Sequence, residues 1–165
     1  MLIGSLALAV GLAIFDLTIR ELDLSATATQ SQYAIYAADT GVDCALYWDA
    51  KCPADESIPY CQRSGGSAFA TSTDSGQPPS PSNLRCNGLD ISRVDGGWSI
   101  VKLIDRATTT FRIEFTPVQP YCVDVEVGKF TDVAGALFTT IVSRGYNTCA
   151  VGETTRVERT LQVNY

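Results

Sequence analysis

Residues Met1–Phe15, MLIGSLALAVGLAIF, carry no charge, and Asp16 then opens a stretch of mixed polarity. Within it Leu17, Leu24, Ala28, Ser31, Ile35, Ala38, Val42 and Leu46 recur at steps of three, four or seven, which is one stripe of an α-helix. No proline precedes Pro53, and Asp16 and Arg20 form an i,i+4 pair in the supportive order. Gly4, Gly11 and Gly41 each weaken the pattern by about 1 kcal/mol relative to alanine without breaking it. The pattern therefore predicts a single helix over residues 1–52, roughly 75 Å long at ~1.5 Å per residue. A helix of that reach outruns any globule the rest of the chain could build, so one end must protrude.

Residues 53–97 lack periodicity. The run Gly65–Ser82, GGSAFATSTDSGQPPSPS, is dominated by Gly, Ser, Thr and Pro and reads as a surface loop held near its ends by Cys61 and Cys86. Beyond Gly97 come short runs rich in Val, Ile, Thr and aromatics: Trp98–Ile104, Thr110–Thr116, Tyr121–Val127, Leu137–Ser143 and Thr155–Tyr165. Phe111, Ile113 and Phe115 alternate with Arg112 and Glu114, and Val123, Val125 and Val127 alternate with Asp124 and Glu126, the signature of strands with one buried face. The connections are too short for crossover helices, so the sheet is expected to be antiparallel, with four or five strands. A helix stripe and a one-sided sheet cover each other. The expectation is an α+β fold: a helical segment 1–52 packed along its second half on a head formed by residues 53–165.

Composition narrows the chemistry. Eighteen acids oppose twelve bases for a net charge of −6, and there is no histidine. The commonest general base and metal ligand is thus missing, and the acidic balance opposes nucleic-acid binding. Arg93, Lys102, Arg106 and Arg112 lie near Trp98 in sequence, but Asp95 and Asp105 interrupt them, and they read as ordinary polar strand positions. Glu114, Asp124 and Glu126 are the only carboxylate grouping suggestive of glycoside hydrolysis, and the simpler reading is a solvated sheet face. Asp90–Gly97, DISRVDGG, has too few oxygen ligands for a calcium loop. Tyr33, Tyr36, Tyr47 and Trp48 recur at helical spacing and are expected to pack between helix and sheet. No catalytic, cofactor-binding or metal site is expected.

The cysteines number six: Cys44, Cys52, Cys61, Cys86, Cys122 and Cys149. With no CxxC and no histidine, disulfides in an oxidising compartment are favoured over a metal site. Fifteen pairings are possible. Cys52 and Cys61 flank a short proline-containing loop and form the natural local pair, leaving Cys44, Cys86, Cys122 and Cys149 to tie the helix end and the long loop to the sheet.

An apolar start running into one long helix, then a cysteine-bearing loop region and an antiparallel sheet, resembles the type IV pilin superfamily. Tyr33–Asp49 (YAIYAADTGVDCALYWD), Ser143–Asn147 (SRGYN) and Arg156–Tyr165 (RVERTLQVNY) look more specifically like the pilus-assembly minor-pilin type. The resemblance implies a structural subunit held in the membrane before assembly, then stacked by the pilus assembly machinery with copies of itself in a helical filament at the cell surface. Assembly would run through residues 1–30, with Met1, Leu2, Ile3, Leu6, Leu8, Val10, Leu12, Ile14 and Phe15 supplying anchoring and filament-core packing. Two positions depart from the family. Its glutamate at the fifth mature position is Ser5 here, which puts Asp16 forward as the charge partner inside a filament, and its proline near position 22 is Leu22. An uncharged run of fifteen is short for a membrane span, which needs about 20 residues. The alternative function is a membrane-anchored monomeric extracellular binding domain, with an extracellular hydrolase as a distant third.

Overall fold

The computed structural model describes residues 2–50, 67–73, 84–91, 97–115 and 120–165, with the backbone alone at residues 2, 3 and 5–7. One helix, α1, runs over Leu2–Ala50. It is followed by β1 (Arg85–Cys86), β2 (Leu89–Asp90), β3 (Ser99–Lys102), β4 (Arg106–Glu114), β5 (Cys122–Thr131), β6 (Leu137–Tyr146) and β7 (Glu158–Asn164). Strands β3 to β7 form a five-stranded antiparallel sheet in sequence order, and β1 and β2 form a separate hairpin. The α+β architecture read from the sequence is present, with strand bounds that differ from expectation by a few residues.

The helix lies along the inner face of the sheet through a seam of small residues. Ala34, Ala37, Ala38, Gly41, Val42, Cys44, Ala45 and Trp48 are its buried positions. This corrects the expected stripe: Leu17, Leu24, Ala28 and Ile35 are exposed, Ser31 and Leu46 are half-buried, and only Ala38 and Val42 lie in the core. Contact distance decided the outcome. A Cβ placed on Gly145 of β6 would overlap the backbone of Ala34 and Ala38, so helix and strand touch main chain to main chain. Ser143 seals this approach by donating to the Ala38 carbonyl at 2.7 Å. A leucine in the seam would push the two apart, and alanine and glycine are what the close approach admits.

Alternation places Phe111, Ile113, Val123, Val125, Val127 and Ile141 on the inner face, packed with Trp48, Phe69, Leu84, Ile91 and Trp98. Phe69, Trp98 and Phe111 stack with ring centroids 5.8–6.0 Å apart. Here the expected surface loop is corrected in part. Ser67–Ala70 is buried, because the SAFA run carries Phe69 into the core and the Ala68 amide donates to the Trp48 carbonyl at the helix end. Residues 65–66 and 74–83 lie outside the described residues.

A buried polar cluster closes the far end of the helix. Lys129 and Asp49 pair at 2.6 Å with side chains 4% and 6% exposed. Ser67 and Tyr165 also donate to the Asp49 carboxylate, Tyr165 at 2.6 Å. Burial pushes the Asp49 carboxyl up, but the hydrogen bonds from Lys129, Ser67 and Tyr165 outweigh it and hold the group below its ordinary range. Four separate stretches of chain meet on this one carboxylate.

Candidate functional site

The feature that sets this molecule apart is the uncovered first half of its helix. Pairing along α1 is directional: Ser31 accepts from Arg159, Ala34 and Ala38 meet Gly145, Gly41 meets Val123 and Val125, and Asp49 meets Lys129 and Tyr165. The sheet thus covers the helix from about Ser31 to Ala50, and every described side chain from Leu8 to Thr29 is exposed.

Of the residues singled out from the sequence, Leu8, Val10, Leu12, Ile14 and Phe15 are all on this stem and solvent-exposed. Leu2, Ile3 and Leu6 are on the same helix with side chains not described, and Met1 lies outside the described residues. The apolar surface continues past the first charge, at Asp16, through Leu17, Ile19, Leu22 and Leu24. At about 100° per residue, Leu8, Leu12, Phe15, Ile19 and Leu22 fall on one face, and Val10, Ile14, Leu17 and Leu24 on the opposite face. These nine side chains are 43–70% exposed. Together they present on the order of 800 Å² of apolar surface, more than the few-hundred-Å² patches that monomers tolerate. Asp16 is paired with Arg20 at 3.1 Å, both exposed, on a flank between the two faces. Among the described residues no helix is long and apolar enough to cross a membrane.

Cys44 and Cys86 are disulfide-bonded, Cα atoms 5.8 Å apart, tying the helix to the β1–β2 hairpin. The expected Cys52–Cys61 pair lies outside the described residues. Cys122 and Cys149 are free thiols and neighbours: burial and contact with Cys122 push the Cys149 thiol up to about 12. Arg112 donates to the Cys122 sulfur at 3.2 Å and to the Cys149 carbonyl at 3.4 Å.

The three carboxylates do share the outer face, and arginines occupy them. Arg112 pairs with Glu114 at 3.2 Å and Asp124 at 3.7 Å, and Arg144 with Glu126 at 3.6 Å. Arg106 pairs with Asp105 at 3.3 Å, and Arg93 lies outside the described residues, so no continuous basic strip forms among those described. Among the described residues no group of His, Cys, Asp or Glu could hold a metal ion.

The aromatic expectation is corrected in part. Trp48 is buried and donates to the Arg85 carbonyl at 3.1 Å, and Tyr33 stacks on Tyr121, but Tyr36 and Tyr47 face solvent. Tyr47 lines a cleft of about 440 Å³ with Thr40, Asp43, Trp48, Arg85 and Asn87, above the Cys44–Cys86 bridge. Sequence reasoning missed this cleft. The Asn87-Gly88 pair, both at positive φ, is the turn signal that could have announced its hairpin.

No protein-family model matches this chain, and neither a curated protein nor a solved structure is significantly similar to it.

Proposed function

We propose that this chain is the structural subunit of an extracellular filament of the type IV pilus kind, assembling through its N-terminal helix. The observation that carries the reading is the pair of opposed apolar faces on the uncovered stem. An isolated helix with one such face is satisfied by a single partner. Two faces about half a turn apart need neighbours on both sides, which a closed dimer does not supply and a polymer core does. Burying the stem side chains from water is worth on the order of 20 kcal/mol gross at ~25 cal/mol/Å². If the starting state is lipid, most of that gain is lost, and packing between helices must drive extraction. Holding in a membrane before assembly, and handling by assembly machinery, follow from the family resemblance of the sequence.

The test is sedimentation and electron microscopy of the full chain, alone and with Leu12→Asp or Leu17→Asp, one change on each face. Either change should abolish filaments while leaving the thermal transition of the head within about 2 °C, since both sites are exposed and exposed-site changes cost little. Wild-type chain that stays monomeric without detergent, or stem variants that polymerise as well as wild type, would refute the proposal.

The second reading, an anchored monomeric binding domain, draws on the Tyr47 cleft, whose aromatic wall and Asp43, Arg85 and Asn87 rim suit a polar ligand. It predicts binding that survives removal of the stem.

A further inference from the structure

A second uncovered apolar surface lies at the opposite end of the molecule. The register that brings Lys129 and Tyr165 to Asp49 at the helix terminus carries the β3–β4 and β5–β6 turns beyond it, away from the stem. The two turns lie at the same end of the sheet: the Thr131 amide at the end of β5 donates to the Asp105 carbonyl of the β3–β4 turn at 3.0 Å, and Phe130 is paired with Arg106 on one side and Phe138 on the other. Leu103, Ile104, Phe130, Val133, Leu137 and Phe138 are all exposed there, Ile104 and Val133 completely.

This tip is a built surface. Asp132 accepts from the amides of Ala134 and Ala136 at 2.9 and 2.8 Å, and the Asp132 amide donates to the Ala136 carbonyl. With these amides and the Asp132 carboxylate bonded within the turn, Val133 is the large side chain it presents outward. Arg106 lies over the Phe130 ring at 5.8 Å, and Lys102, which has no ion-pair partner among the described residues, borders Leu103.

We infer that this tip receives the protruding helix of a second copy of this chain, near residues 15–24. The inference rests on the filament reading above and names one of its contacts. Three observations select that occupant. The stem is the other large uncovered apolar surface among the described residues, so each surface supplies the cover the other lacks. Residues 8–25 carry Asp16, Glu21 and Asp23 against Arg20, a net of −2, and Glu21 and Asp23 have no ion-pair partner among the described residues; at the tip Lys102 likewise has none, while Arg106 is held by Asp105. Finally, a contact between unlike surfaces at opposite ends of one molecule is heterologous, so it propagates from copy to copy instead of closing. A tip-to-tip contact would close on itself and would not propagate.

The experiment places a photo-crosslinking amino acid at Ile104, and separately at Val133, in the full chain, and maps the crosslinked peptides after assembly. Both sites are fully exposed, so the substitutions leave the fold intact. Crosslinks from either site to residues 15–24 of another copy are expected. In parallel, Ile104→Asp should raise the concentration needed for assembly at least about tenfold, the loss of roughly one well-buried apolar contact. Filaments that form normally with Ile104→Asp, or that crosslink tip to tip, tip to sheet or not at all, overturn the tip–stem contact and leave the filament reading standing. Crosslinking to added phospholipid vesicles in preference to protein also overturns it. Absence of filaments from the wild-type chain removes both readings together.

Discussion

Replacing Gly145 with alanine tests the close approach of helix and sheet on which the head depends. The added methyl would overlap the Ala34 carbonyl oxygen and the Ala38 amide nitrogen and come within 3.0 Å of the Ala38 Cα. None of these is a flexible side-chain end, so the helix as a body must retreat by about 1 Å to restore ordinary contact, loosening Ala34, Ala37 and Ala38 against β6. Overpacking of this kind costs about 1–3 kcal/mol. The same retreat stretches the Ser143 hydrogen bond to the Ala38 carbonyl, and a buried group left unsatisfied costs a further 1–3 kcal/mol or so. Restricting the unfolded chain returns about 0.4–1 kcal/mol. The net is a loss of about 1–6 kcal/mol, or roughly 2–22 °C in melting temperature for a chain of this size. Gly128→Ala is the control, because the nearest atom to its added methyl is the Thr140 carbonyl oxygen at 3.8 Å. Thermal unfolding by circular dichroism of the two variants against wild type is the assay. Equal melting temperatures for the two variants would refute the main-chain seam as the determinant of helix docking.

Other expectations follow from the buried cluster and the cysteines. Asp49→Asn leaves Lys129 buried without its counter-charge and should cost about 3–5 kcal/mol in a denaturant titration, whereas Asp49→Leu with Lys129→Met should recover most of that loss. Because the Asp49 carboxyl is held below its ordinary value of 3.8, its contribution is full above that value and is lost as the pH falls through the lower folded-state value; acid unfolding monitored by fluorescence should lose that dependence in Asp49→Asn. The Tyr165 hydroxyl is held above its ordinary value by burial and by Asp49, so its share is full below pH 10 or so and is lost at higher pH as it ionises; Tyr165→Phe should flatten an alkaline unfolding curve. Selective opening of the Cys44–Cys86 bridge by Cys→Ala at both positions should lower stability by up to about 4 kcal/mol, given the 42-residue separation it closes. With its thiol pushed up to about 12, Cys149 should alkylate far more slowly than an ordinary cysteine at pH 8, as read by mass spectrometry of tryptic peptides.

Much of the scaffold is legible in the residues themselves. The absence of proline before Pro53 and the alternation in Phe111–Phe115 and Val123–Val127 act over a few neighbours, so they forecast a single helix over residues 1–52, described here from Leu2 to Ala50, and strands at β4 and β5 with little outside help. The buried face of the helix was not legible in the same way. A hydrophobicity pattern favours Leu17, Leu24 and Ile35, but the seam selects for small side chains, and that preference exists only because Gly145 of β6 arrives at this spot. Phe69 was hidden inside a Gly- and Ser-rich run whose composition argues for solvent. The carboxylates Asp124 and Glu126 share a face as the strand period requires, but nothing local says that Arg112 and Arg144 neutralise them from β4 and β6.

Of the candidate assembly surface, the sequence by itself determined the apolar character of the stem, because helical periodicity and the lack of charge to Phe15 are properties of one stretch of chain. What only the tertiary structure decided is where the cover stops. The sheet reaches back to about Ser31 because β6 and β7 end at Tyr146 and Glu158, and it is this limit that leaves Leu8–Leu24 bare on both faces. The tip is likewise a tertiary fact: the turns that carry Ile104 and Val133 are separated in sequence and are brought to the same end of the sheet by strand register, a long-range pairing that no local pattern encodes.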